Sequence, residues 1–119
     1  MRIKKRQKPL LPSLRQRKRY LAFEIVSKSI IDDFSAVSGQ ITASFTSLIG
    51  EIGASKAGIM VLKERWNRKD QRGIIKVRHN YVEGLAASLV FITRICDNKV
   101  LARSLGVSGT LKKAERFTA

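Results

Sequence analysis

Residues 72–95 read RGIIKVRHNYVEGLAASLVFITRI, and the spacing of apolar residues changes inside this stretch. Ile75 and Val77 alternate with Ile74, Lys76 and Arg78, a period of two that predicts a strand. From Val82 the apolar residues Leu85, Ala86 and Leu89 recur every three or four positions, which predicts a helix. Asn80 suits the N-cap of that helix, with Glu83 three residues later as in a capping box. Phe91, Ile92, Thr93 and Ile95 are read as the end of the same helix.

Working outward, the same alternation of periods recurs. Upstream, Trp66 to Arg72 is a charged loop, and Ile59, Val61 and Lys63 alternate with Met60, Leu62 and Glu64 as a strand. Before that, Val37, Ile41, Phe45, Leu48 and Ile52 share one helix face, which Gly50 and Gly53 are expected to end. Leu21, Phe23 and Ile25 alternate with Tyr20, Ala22, Glu24 and Val26 as the first strand, and a loop carrying Asp32 and Asp33 follows. Downstream, Asp97-Asn98 signals a turn, and Val100 to Val107 is a strand interrupted by Arg103. A short basic helix is predicted from Thr110 to Phe117. The order is strand, helix, strand, strand, helix, strand. It predicts an α+β fold, a ferredoxin-like or RNA-recognition-motif-like βαββαβ sandwich. Its four-stranded antiparallel sheet carries helices on one face and leaves the other open. Residues 1–18 read as a basic arm and 19–119 as a single domain.

Charge narrows the function classes. The chain has 24 Lys and Arg against 9 Asp and Glu, a formal net charge of +15 and a pI near 10.8. Nine of the basic residues fall in the first 20 positions, with no acid among them. Such a balance favours a polyanionic partner, nucleic acid first, because each neutralised phosphate releases counterions. No apolar run approaches the roughly 20 residues of a membrane span, and Pro9 and Pro12 interrupt the place of a signal peptide's apolar core. A cytoplasmic protein is expected. One cysteine, Cys96, allows no intrachain disulfide, and with His79 as the sole histidine a structural zinc is not expected. Cys96 is expected to be a buried apolar residue.

The strand at 72–79 occupies the place of the third-strand signature of RNA recognition motifs. Arg72, Gly73 and Val77 fit that signature, whereas Ile74, Lys76 and His79 stand where aromatics are required. Base stacking contributes about 1–3 kcal/mol per base, and this strand has no Phe, Tyr or Trp to supply it. Arg72, Lys76 and Arg78 therefore read either as phosphate contacts or as a solvated strand face. Catalytic patterns are weak. Gly106-Val107-Ser108-Gly109-Thr110 lacks the second Gly of a nucleophile elbow, there is no phosphate-binding P-loop, and no acid cluster suits two-metal hydrolysis. That segment reads either as a plain strand-to-helix turn or as a phosphate site, with Lys112, Lys113 and Arg116 close by.

Several strings, taken in order, resemble a known family. They are LPSLRQRKRYLAFE (11–24), GEIGASKA (50–57), GIIKV (73–77), YVE (81–83) and LGVSGTLKKA (105–114). They resemble the component 2 proteins of archaeal ribonuclease P, the Pop-five-like subunits, over residues 11 to 117. The resemblance implies an accessory subunit of the ribonucleoprotein that removes 5′ leaders from precursor tRNA. It implies that the RNA performs the chemistry with its own Mg2+, and that the protein binds no cofactor and is not itself catalytic. The implied partners are ribonuclease P RNA and protein component 3, in a heterotetramer with two copies of each. The candidate RNA contacts are Arg15, Arg17, Lys18 and Arg19 near the N-terminus, Arg72, Lys76 and Arg78 on the third strand, and Lys112, Lys113 and Arg116 on the last helix. Glu24 is expected to pair with Lys76 or Arg78. The competing readings are a ribosome- or DNA-associated structural protein and a protein-interaction adaptor.

Overall fold

The computed structural model describes residues 17–119. Its elements are β1 (Lys18–Ser27), α1 (Phe34–Ile49), α2 (Glu51–Ala57), β2 (Met60–Val61), β3 (Arg72–Arg78), α3 (Val82–Val90), β4 (Arg94–Ile95), β5 (Asn98–Ser108) and α4 (Leu111–Thr118). Single 3-10 turns lie at Lys63–Arg65 and His79–Tyr81. The strands form one antiparallel sheet in the order β2-β3-β1-β5-β4, so β1 is central.

The alternation read from the sequence sets the core. Leu21, Phe23 and Ile25 of β1, with Ile75 and Val77 of β3, pack against Val37, Ile41 and Phe45 of α1 and Leu85 and Leu89 of α3. All of these are almost wholly buried, and each large side chain contributes about 1.5–3 kcal/mol by leaving water. Asp33 caps α1, its carboxylate accepting a hydrogen bond from the Ala36 amide at 3.3 Å. Thr110 caps α4 in the same way through the Lys113 amide.

The sheet has five strands rather than four. The expected strand from Ile59 to Glu64 contracts to β2, because the chain turns into the 3-10 segment at Lys63. The extra strand, β4, comes from residues read as the end of the second helix. That helix stops at Val90. Cys96 and Asp97 both have positive φ (53° and 65°), which folds Arg94-Ile95 back onto Asn98-Lys99 as a two-residue hairpin. Turns of this hand match the twist of paired strands. Cys96 stands at its exposed tip and is not a core residue.

Other corrections concern the helices. Gly50, at φ 92°, separates α1 from α2 and changes the direction of the face, so Leu48 and Ile52 stand 45% and 75% exposed instead of buried. Asn80 does not cap α3. It lies inside the 3-10 turn, and Tyr81 is the N-cap, without a side-chain hydrogen bond. Trp66, read as the start of the charged loop, packs inward. It stacks on Phe23 with ring centroids 5.9 Å apart and leans on Phe34.

The second sheet face is not open. Here α4 crosses β1, β3 and β5, burying Ala114 over the sheet, and Ala22 and Ile74 are fully buried on this side. Phe117 lies directly over Gly106. Arg65 Nε sits 2.9 Å from Glu115 Oε2, too bent for a directed hydrogen bond, so the contact is a partly exposed ion pair. Such a pair adds at most about 1 kcal/mol, which leaves α4 held mainly by its apolar contacts.

At the other end of the sheet, Gln71 ties β3 to β1. It is buried, with φ 53°. Its Oε1 accepts from the Ile31 amide at 2.6 Å, while its Nε2 donates to the Ile25 carbonyl at 2.9 Å and the Ser27 hydroxyl at 3.0 Å.

Candidate nucleic-acid interface

Strand register decides which of the basic residues meet. Lys18 stands directly opposite Arg78, and Tyr20 opposite Lys76, in the β1–β3 ladder. Alternation puts Lys18, Lys76 and Arg78 on the face that carries α4. The ladder continues one step past β1, where the His79 amide donates to the Arg17 carbonyl at 2.8 Å. Like charges directly opposite each other on a sheet are destabilising. Nothing relieves this pair, since no ion pair among the described residues includes Lys18, Lys76 or Arg78.

The α4 start reaches the same end of the sheet. Tyr20 pairs on its other side with Ser108, the last residue of β5, and α4 begins three residues later. The Arg19 guanidinium lies beside the turn, with Nη1 3.7 Å from where a Cβ on Gly109 would stand, and it donates to the Lys18 carbonyl at 3.1 Å. Lys112, Lys113 and Arg116 are exposed on α4. The structure thus brings Arg17, Lys18, Arg19, Lys76 and Arg78 to one edge, with Lys112 and Lys113 entering from α4. Arg15 lies outside the described residues.

Arg72 is not part of this group. It sits at the opposite end of β3, where Glu24 pairs with it and not with Lys76 or Arg78. Glu24 Oε2 accepts from Arg72 Nε at 3.0 Å, and Arg72 Nη1 also donates to the Ala119 backbone oxygen at 3.1 Å. Glu24 Oε1 takes Arg103, with Nε at 2.9 Å and Nη2 at 2.7 Å. The expectation failed because register, not nearness along the face, selects partners: Arg72 and Arg103 are the residues directly across from Glu24 on its two neighbouring strands. Burial pushes the Glu24 carboxyl up, but the hydrogen bonds and charges of Arg103 and Arg72 outweigh it and hold the pKa below the ordinary carboxylate range.

Sequence reading missed Arg103 as a site residue and treated it only as an interruption of an apolar strand. The available signal was its phase. In β5 it sits between buried Ala102 and exposed Ser104, facing away from the main core.

The helix side differs electrostatically. From Phe34 to Gly50 there is no charged residue. Leu48, Val90 and Phe91 are exposed there, the last two at 67%. A groove of about 580 Å³ runs between α1 and the end of α3, lined by Ser44, Ser47, Leu48, Phe91 and Arg94 among others. Among the described residues no group of three or more His, Cys, Asp or Glu is placed to hold a metal, and no helix is long and apolar enough to cross a membrane.

Comparison with known proteins agrees with this architecture. Component 2 of ribonuclease P from Methanosarcina barkeri is 40% identical over 111 residues, covering 92% of this chain and 78% of that one. The Pyrococcus furiosus component 2 is 33% identical over 114 residues, covering 96% and 92%. A chain in the cryo-EM structure of yeast ribonuclease MRP shares the fold at a TM-score of 0.60 with 12% identity, over 94% of this chain and 89% of that one. The model of the Rpp14/Pop5 family matches residues 19–119, all of the chain from the second residue of β1 onward, and the chain belongs to that family.

Proposed function

We propose that the chain is an accessory protein subunit of a ribonuclease P ribonucleoprotein, binding the catalytic RNA to support 5′-leader removal from precursor tRNA. The observation that carries this reading is the unrelieved Lys18–Arg78 pairing. A fold that sets two cations opposite each other, with no ion-pair partner for either among the described residues, gives up stability, and an RNA phosphate between them recovers it. The names of the relatives at 33–40% identity support the assignment to ribonuclease P.

In this reading Arg15, Arg17, Lys18, Arg19, Lys76, Arg78, Lys112, Lys113 and Arg116 contact backbone phosphates. They contribute register and charge neutralisation, not base readout. The chemistry belongs to the RNA and its Mg2+; no residue of this chain takes part in a bond-breaking step. The uncharged α1 face with Leu48, Val90 and Phe91 suits protein component 3, since phosphate has nothing to hold there and apolar side chains need covering. The resemblance to the family implies an assembly with two copies of each protein.

The test is reconstitution. Precursor-tRNA cleavage by ribonuclease P RNA at low Mg2+ is measured with and without this chain and component 3. Faster cleavage is expected when both are present, and no change would sink the proposal.

A further inference from the structure

We propose that Arg103 is an RNA-phosphate contact outside the basic edge described above, and that Glu24 is its positioning residue. The inference deepens the RNA-binding reading and rests on it. One carboxylate, Glu24, holds two guanidinium groups at once. Arg72 is the inner partner, 30% exposed and spent on Glu24 and the Ala119 oxygen. Arg103 is the outer one, 58% exposed.

A guanidinium has five N–H donors in a rigid fork. Nε and Nη2 of Arg103 both face Glu24 Oε1, at 2.9 and 2.7 Å. The remaining donors are fixed in orientation by a carboxylate that is itself only 13% exposed. Held this way, Arg103 loses little rotamer freedom when a phosphate arrives, which a free surface arginine would have to give up. The neighbouring surface suits a polyanion as well. Val26 and Leu101, the next cross-strand pair on this face, floor a groove of about 700 Å³ that Lys28 and Lys99 also line. Asp97 lines its far end.

The sign of one substitution separates this role from a purely structural one. Glu24→Gln removes a negative charge, so general electrostatics predicts tighter RNA binding. Loss of positioning predicts the reverse. The experiment titrates full-length protein against ribonuclease P RNA across a salt series, for wild type, Glu24→Gln, Arg103→Ala and Arg103→Lys. Arg103→Ala is expected to weaken binding several-fold and to lower the slope of log affinity on log salt by about one. Glu24→Gln is expected to weaken binding despite its added charge, and Arg103→Lys to remain weaker than wild type because an ammonium has no fork. Circular dichroism at pH 7 confirms that Arg103→Ala, which leaves Glu24 paired with Arg72, is folded. Equal or tighter binding by Glu24→Gln, or an unchanged slope for Arg103→Ala, would overturn the inference while leaving the RNA-binding reading intact. A flat salt series for wild type would overturn both.

Discussion

A Cβ built on Gly106 would stand 2.5 Å from the Phe117 ring, so α4 lies on the sheet only because position 106 carries no side chain. Sheet and helix are matched through this one contact more tightly than through the Arg65–Glu115 ion pair, whose members are 36% and 45% exposed. Gly106→Val is therefore expected to lift α4 and cost about 1–3 kcal/mol. Hydrogen exchange should show faster exchange in α4 and in the facing stretch of β1, with α1 and α3 unchanged.

Glu24 gives the fold an acid-sensitive point. Its folded pKa lies below the ordinary value, near about 4.3 for a free Glu, so the native state binds its proton less readily than the unfolded chain. The stabilisation is present above that ordinary value and is lost as pH falls through the lowered folded pKa. Thermal melts between pH 3 and 6 should show a fall toward acid that is shallower in Glu24→Gln. Parallel profiles would contradict the assignment.

Gln71 is a stability residue of a different kind. Gln71→Ala removes three hydrogen bonds and leaves the Ile31 amide and Ile25 carbonyl without the side-chain partners they have now. A buried group left unpaired costs about 1–3 kcal/mol. Urea denaturation should show a lower midpoint with an unchanged slope, while RNA affinity of the folded protein stays the same.

The basic edge predicts the opposite combination. Changing Arg17, Lys18 and Arg19 together to Ala should weaken RNA binding and flatten its salt dependence. It should not lower the melting temperature, because it removes the Lys18–Arg78 repulsion. A large loss of stability would show that these residues serve the fold.

Much of this was legible in the residues, and the exceptions have common causes. Periods of two and of three to four located β1, α1, β3 and α3, because each has one face committed to a core, while apolar content located β5 and the glycines before it located α4. Residues whose place depends on backbone hand were not legible. Asp97-Asn98 signalled a turn one residue late, but nothing in Cys96 announces the positive φ that makes this turn the hairpin creating β4. Gln71 looked like part of a charged loop because nothing in its neighbours reveals a buried cavity for an amide. The Glu24 partners needed the register, which two-residue alternation leaves open by whole steps along a strand. The candidate site residues on β1 and β3 stood out by charge alone; their grouping at one end, and the separation of Arg72 from it, did not.

The Lys18–Arg78 pairing has one more consequence, for how the protein behaves before assembly. Repulsion at that point weakens the closing rung of the β1–β3 ladder, and any polyanion that settles there removes it. Ligand capture and strand closure then draw on the same electrostatic term, so by linkage the melting temperature rises with polyanion concentration. Heparin added to the isolated chain should raise it, and added monovalent salt should erase most of the gain. An anion bound at this end would in this sense act as a clasp on a ladder that already closes there.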